Sequence, residues 1–163
     1  NQLRKQSAIV YSFGITFHVS GWKCGYVIAP EQLTAEIRKI HQYLVFSVST
    51  PLQYALAEYL QNAENEDISA LYLKKRDLFR EIIRASRFEL KSSYGTYFQL
   101  LSYNTISDLP DLKMAEKLTK EYKIASIPIS VFYKEGHDHH LLRFCFAKSE
   151  ETLEKAGEIL CRI

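Results

Sequence analysis

Two short apolar runs, "AIVYSF" at 8–13 and "GYVIAP" at 25–30, constrain this chain more than any other feature. Both are rich in β-formers, both are bounded by glycine or proline, and neither alternates apolar with polar residues. A strand with one wet face alternates with period two, whereas a strand without alternation is covered on both faces, as in parallel sheets flanked by helices. The runs therefore predict strands buried on both faces, in the manner of a parallel sheet. A βα arrangement follows, because from Glu31 the apolar positions Leu33, Ile37, Ile40, Leu44 and Val45 recur at helical spacing behind Pro30.

Further along, "STPLQYALAEYLQNAEN" (49–65) predicts a second helix, with Ser49 or Thr50 as N-cap and Pro51 at the first helical position, where its missing N–H costs nothing. From about Ser69 to Arg87 a third helical pattern places Leu71, Leu78, Phe79, Ile82 and Ile83 on one side. At about 1.5 Å rise per residue it is long enough to reach between two domains. The second half changes character. "RFELKS" and "TYFQLLSY" predict strands around the turn Ser93-Tyr94-Gly95, and Asp108 to Pro110 introduces a helix with Leu112, Ala115, Leu118 and Tyr122 inward. "IPISVFY" (127–133) and "LLRFCFA" (141–147) predict further strands. A last helix starts from Ser149 as N-cap and buries Leu153, Ala156, Leu160 and Ile163.

With 163 residues, 47% of them apolar, the chain has material for a real core. Its 21 basic and 19 acidic residues give a net charge of +2, which creates no field favouring nucleic acid or an anionic membrane. No apolar run approaches the roughly 20 residues needed to span a bilayer, and "NQLRKQSAIV" lacks the apolar core of a signal peptide, so a cytoplasmic location is expected. The three scattered cysteines, Cys24, Cys145 and Cys161, are expected as buried free thiols rather than a disulfide framework. "HDHH" (137–140) invites a metal reading, but adjacent loop residues cannot all face one ion and no second cluster supplies further ligands. No metal is expected. His18 and His41 read as structural, Trp22 as packing, and Lys74-Lys75-Arg76 as a solvated helix face.

The densest polar cluster lies between the first two runs. Ser12 ends a strand, Gly14 permits a tight backbone path, Thr16 and Ser20 add hydroxyls, and Lys23 brings a cation just before Gly25. Hydroxyls and an ammonium at strand ends suit a phosphate group, and equally a solvated loop. The order of these residues, Ser12-Phe13-Gly14-Ile15-Thr16-Phe17-His18 and onward through Ser20-Gly21-Trp22-Lys23 to Gly25-Tyr26, resembles the lysine segment of fold-type I pyridoxal-phosphate aminotransferases. The subgroup is that of kynurenine, glutamine and methionine aminotransferases. The likeness continues through "IAPEQLTAEIRKIHQYLVFSVSTPLQYALAEYL", "KKRDLF", "GTYFQLLSY", "IPISVF" and "LLRFCFAKSEETLEKA", and so covers essentially the whole chain.

The resemblance implies an α/β fold. Residues 1–66 would be a C-terminal remnant of the aminotransferase large-domain sheet, and 67–163 the complete α+β small domain with its connecting long helix. It implies pyridoxal phosphate as cofactor, amino acid and 2-oxo acid substrates, and a homodimer. By the same resemblance, Ser12 and Lys23 match the residues that hold the cofactor phosphate, and Arg143 the arginine that grips the substrate α-carboxylate. Tyr97 and Phe98 fall near the substrate side. Position 15 is that of the Schiff-base lysine, and here it is Ile15. An alkyl side chain forms no imine and offers no acid or base. Relatives also carry a long part ahead of this segment, with the acid at the pyridine nitrogen, the ring-stacking aromatic and the groups at the cofactor hydroxyl. The expectation is a chain that retains the cofactor weakly or not at all and does not transaminate alone. Without their sheet neighbours, residues 1–66 should be the less stable part.

Overall fold

The computed structural model describes residues 2–62 and 68–163, which fall into two compact units divided at Ile68 and Ser69. The boundary expected at 66/67 and the expected helical residues 63–65 lie outside the described residues.

In the first unit a 3₁₀ turn (Gln2–Gln6) leads into β1 (Ile9–Ser12), a single helical turn α1 (Phe13–Thr16), a second 3₁₀ turn (Ser20–Trp22) and β2 (Gly25–Ile28). Helices α2 (Glu31–Leu44) and α3 (Thr50–Asn62) follow. The carbonyl of Ser49 accepts from Gln53 N–H at 3.2 Å, so α3 starts where Pro51 at its second residue needs no donor.

Two expectations fail here. The strands pair antiparallel, Ile9 with Ile28 through Ser12 with Gly25, and every one of their residues is exposed. The physical reason is local. Segment 13–24 folds back on itself, with Phe13 N–H bonded to Cys24 O at 3.1 Å, instead of making the long crossover that parallel strands require. Gly25 makes the close return feasible, since a Cβ there would lie 2.2 Å from Tyr11 O. Contact among aromatic rings does much of the holding. Tyr11 stacks on Tyr26 at 4.9 Å, Phe13 lies 5.3 Å from Tyr26, and Phe17 meets Tyr59 of α3 edge-on at 5.1 Å. The buried residues of the described part of this unit are Gly14, Cys24 and Leu56.

The second unit has α4 (Ile68–Ile82), closed by a 3₁₀ turn (Ile83–Ala85), so the long helix expected to 87 ends earlier. A four-stranded antiparallel sheet follows, in the order β3 (Glu89–Leu90), β4 (Phe98–Ser102), β6 (Leu141–Cys145), β5 (Ile127–Pro128). Two more helices, α5 (Asp111–Tyr122) and α6 (Glu150–Leu160), complete it. Along β4 and β6 burial alternates: Leu101, Leu142 and Phe144 enter a core with Phe79, Ile83, Phe146, Leu153 and Leu160, while Phe98, Leu100, Arg143 and Cys145 occupy the other, half-buried face. Ser149 caps α6 as predicted, its Oγ accepting from Thr152 N–H at 3.3 Å. Gly157 lets α6 approach the end of α4, since a Cβ would stand 2.3 Å from Ile82 Cγ2.

Several finer expectations are corrected. Leu112 on α5 is exposed, and Met114 points inward with Ala115 and Leu118. "IPISVFY" is a two-residue strand followed by a 3₁₀ turn, Ile129–Phe132, because the buried Asp111 carboxylate binds both Ser130 N–H and Ser130 Oγ at 2.7 Å and draws the chain out of extension. The thiols are free, but only Cys24 is buried. Lys74, Lys75 and Arg76 lie on the solvated side of α4, as expected, and also make bonds there: Lys74 pairs with Glu150 at 3.0 Å, Lys75 donates to Lys148 O, and Arg76 donates to Ser93 O at 3.1 Å.

Candidate functional site

Ser12, Ile15 and Lys23 all belong to the turn-rich mouth of the β1–β2 pair. Ser12 stands at the junction of β1 and α1, and its hydroxyl makes no capping hydrogen bond to the helix it precedes. Lys23 takes a left-handed conformation, φ 51° and ψ 39°, and ends the 3₁₀ turn just before β2. The pairing of Ser12 with Gly25 and the Phe13–Cys24 hydrogen bond bring the two ends of the mouth together, so hydroxyl and ammonium issue from adjacent backbone. Both side chains are exposed. Thr16 Oγ1 donates to Ser12 O at 3.1 Å and Ser20 Oγ to Gly14 O at 3.3 Å; those hydroxyls hold the backbone of the mouth. Ile15 projects from α1 with 54% of its surface exposed. No packing inside this unit accounts for a β-branched apolar residue there.

Arg143 belongs to the second unit. It sits on β6 opposite Leu100 of β4 and Ile127 of β5, on the half-buried face of the sheet. Its guanidinium carbon lies 4.1 Å from the ring centroid of Phe98 and 4.9 Å from that of Phe132. Its Nε is buried and has no hydrogen-bond partner. A cavity of ≈ 340 Å³ opens beside it, lined by Phe98, Phe132, Ile129, Leu100 and the 92–96 loop. That loop is tied down at Ser93, whose carbonyl accepts from Arg76 and whose Oγ donates to Phe98 O at 3.0 Å. Tyr97 touches Phe98 at 4.5 Å between ring centroids and turns toward Tyr72, 5.8 Å away. No pattern along the chain marks Phe132 as a neighbour of Arg143. It stood in a presumed strand, and its place beside Arg143 depends on the turn that Asp111 imposes.

The "HDHH" segment is a structural latch. Asp138 accepts from Asp111 N–H and His140 N–H, both at 2.7 Å, and so caps α5; His137 meets Glu135 at 2.9 Å, His139 packs on Tyr133 and His140 on Tyr103. Among the described residues no group of three or more His, Cys, Asp or Glu could hold a metal ion, and no helix is long and apolar enough to cross a membrane.

A strand-end hydroxyl beside a lysine on one unit, and separately an aromatic-flanked arginine on the other, are each of a kind that binds small anions. The model of the family "Aminotransferase class I and II" matches residues 3–160, and the chain belongs to that family. In sequence it is 48% identical over 162 residues to methionine aminotransferase of Escherichia coli (strain K12). It is 30% identical over 182 residues to a kynurenine–oxoglutarate transaminase of Dictyostelium discoideum. Each comparison takes in 98% of this chain but only 42% of the relative, so the chain spans well under half the length of these relatives and corresponds to their C-terminal part. In structure it resembles an Escherichia coli protein with a methionine aminotransferase function, at TM-score 0.90 and 47% identity, covering 99% of this chain and 43% of that one. N-succinyldiaminopimelate aminotransferase from Mycobacterium tuberculosis gives TM-score 0.90 at 28% identity, with 99% and 43% covered.

The family implies pyridoxal phosphate. The residues present fit one end of it: Ser12, with no capping duty, and the exposed Lys23 are donors free to meet a phosphate. Ile15, exposed on α1 beside them, is an alkyl side chain and offers no amine to a carbonyl.

Proposed function

We propose that this polypeptide is the phosphate-anchoring and carboxylate-gripping part of an enzyme that moves an amino group between an amino acid and a 2-oxo acid. Ser12 and Lys23 hold the phosphate. Arg143 grips the α-carboxylate by two parallel hydrogen bonds, which a planar guanidinium makes and an ammonium does not; Tyr97 supports the substrate side through its contact with Phe98. The 163-residue chain does not turn over by itself. The observation that carries this reading is Ile15, exposed at the mouth of β1 and β2 where the reaction needs an amine. Pyridoxal phosphate supplies the electron-withdrawing carbonyl chemistry when bound, but no proton can be held or moved at position 15 by an alkyl group.

The test uses cofactor addition and borohydride reduction followed by peptide mass mapping. The native chain is expected to carry no cofactor on the peptide containing Ile15, and Ile15→Lys is expected to carry it there. Amino-group exchange by the purified native chain alone would end the proposal.

A second reading, a non-catalytic oligomerisation or ligand-binding remnant of the same fold, draws on the exposed apolar surface of the first unit, where Val10 is 74%, Tyr43 86% and Phe46 82% exposed. A homodimer is the assembly we propose to cover it. Sedimentation showing a monomer at all concentrations would remove that assembly.

A further inference from the structure

The surroundings of Arg143 support more than the presence of a cation. All five N–H donors of a guanidinium lie in its plane, and its two faces have no hydrogen-bonding capacity. Here the guanidinium carbon sits over the ring of Phe98 at 4.1 Å and within 4.9 Å of the ring centroid of Phe132. The Nε is buried and unpartnered, so hydrogen bonding is left to the donors at the open end. The two rings come from different elements: Phe98 opens β4, and Phe132 closes the 3₁₀ turn after β5. Each is fixed independently, Phe98 by pairing with Cys145 on β6, and the turn by the buried Asp111–Ser130 bonds. With both rings in place the guanidinium cannot roll about its stem, and an anion must meet it edge-on, beside aromatic walls.

The geometry points to Phe98 and Phe132 as positioning residues that hold the plane of Arg143 and so make the cavity selective for a flat carboxylate over a tetrahedral oxyanion. This rests on the reading of Arg143 as the group that grips the substrate carboxylate. A carboxylate lies in the guanidinium plane and forms two parallel hydrogen bonds, whereas a phosphonate puts oxygens above and below that plane, against the rings. Without the rings the guanidinium turns to suit either anion, and discrimination falls.

The test follows the Arg143 Nε–H signal of the ¹⁵N-labelled full chain, assigned by its loss in Arg143→Lys, during titration with pyruvate and with methylphosphonate. The native chain is expected to show saturable shifts with pyruvate and affinity about fivefold or more weaker for methylphosphonate, the size of a solvent-accessible cation–π contribution. Phe132→Leu, at a residue 59% exposed and so tolerant of change, is expected to bring the ratio toward one and to move the Nε–H resonance by loss of the ring current. Phe98→Tyr keeps a ring and should retain both ratio and resonance; Phe98→Leu should lose both. An unchanged ratio in Phe132→Leu, or equal native affinity for both anions, overturns the role of the rings while leaving the carboxylate reading intact. A native Nε–H signal that neither anion moves overturns both.

Discussion

Phe46 and Phe146 carry the same side chain, yet the first is 82% exposed and the second fully buried. That contrast runs through the two units. Residues 69–163 enclose a continuous core with side chains from α4, β4, β6, α5 and α6; among the described residues its fully buried members begin at Phe79, with Tyr72 and Leu78 packed against them. The first unit has amphipathic helices and apolar strands, but many of their apolar positions are exposed, Ile40 at 58% and Leu44 at 78%, while Leu56 is buried. Both units have regular elements; one has layers to put between them. Secondary structure in the first reports local propensity and pattern, while in the second it is backed by burial. Among the described residues its two-stranded sheet leaves both edges unpaired.

The strongest attempt to break this contrast is the matched pair of truncations. Phe146→Ala is expected to cost about 3–5 kcal/mol, as large-to-small changes in a closed core do. Phe46→Ala should stay within about 0.5 kcal/mol. Urea midpoints monitored separately for the two units check both, and similar losses would mean that the first unit has a core after all. A smaller effect comes from a pair of glycines. Gly157→Ala drives a methyl toward Ile82 and is expected to cost about 1–2 kcal/mol, after the gain in helix propensity. Gly21→Ala, with nothing within 4 Å, should be neutral by the same measurement.

The alkaline limb sharpens the comparison further. Burial, aided by the nearby carboxylates of Asp138 and Asp111, holds the Tyr103 hydroxyl neutral well above its ordinary value of 10.0. Its folded pKa is raised, so its contribution is fully present below about pH 10, where both states are protonated, and is lost as pH rises through the folded value. The second unit should weaken above that pH. Tyr103→Phe flattens the limb and costs about 1 kcal/mol at neutral pH, because Leu109 O loses the donor now 2.9 Å away. The smallest effect is at Glu116, which bonds to Lys120 at 2.5 Å and Lys113 at 3.0 Å and is held down to about 2. With a depressed folded pKa, its stabilisation is present above the ordinary 4.5 and lost as pH falls toward 2. It is exposed, so the acid limb of Glu116→Gln should merge with that of the native chain at high salt, as read by acid titration.

Much of this was legible along the chain. Ser149 as N-cap, Pro51 early in its helix, the strands at 98–102 and 141–145 and the helical stripes from Glu31 and Asp111 all follow from residues that set their own backbone or repeat at a fixed period. Ser12, Ile15, Lys23 and Arg143 stood out through the order of motifs. What misled was the unalternating pattern of the first two runs. It says that both faces are apolar, not that both are covered; coverage is a property of what lies alongside. Leu112 and Met114 both satisfy a helical stripe, and only the position of the sheet decides which turns inward. The place of Phe132 is not legible along the chain because its turn is imposed by Asp111, nineteen residues away from Ser130.

The sequence by itself determined the local elements, the family and the alkyl character of residue 15, since these depend on residue identity, short-range sterics and motif order. Tertiary structure alone decided the direction of the first strand pair, the capping role of "HDHH" and the rings beside Arg143. Each of these joins residues whose separation along the chain carries no signal of their meeting, and the energy that fixes them comes from packing and hydrogen bonds formed only once the chain has closed on itself.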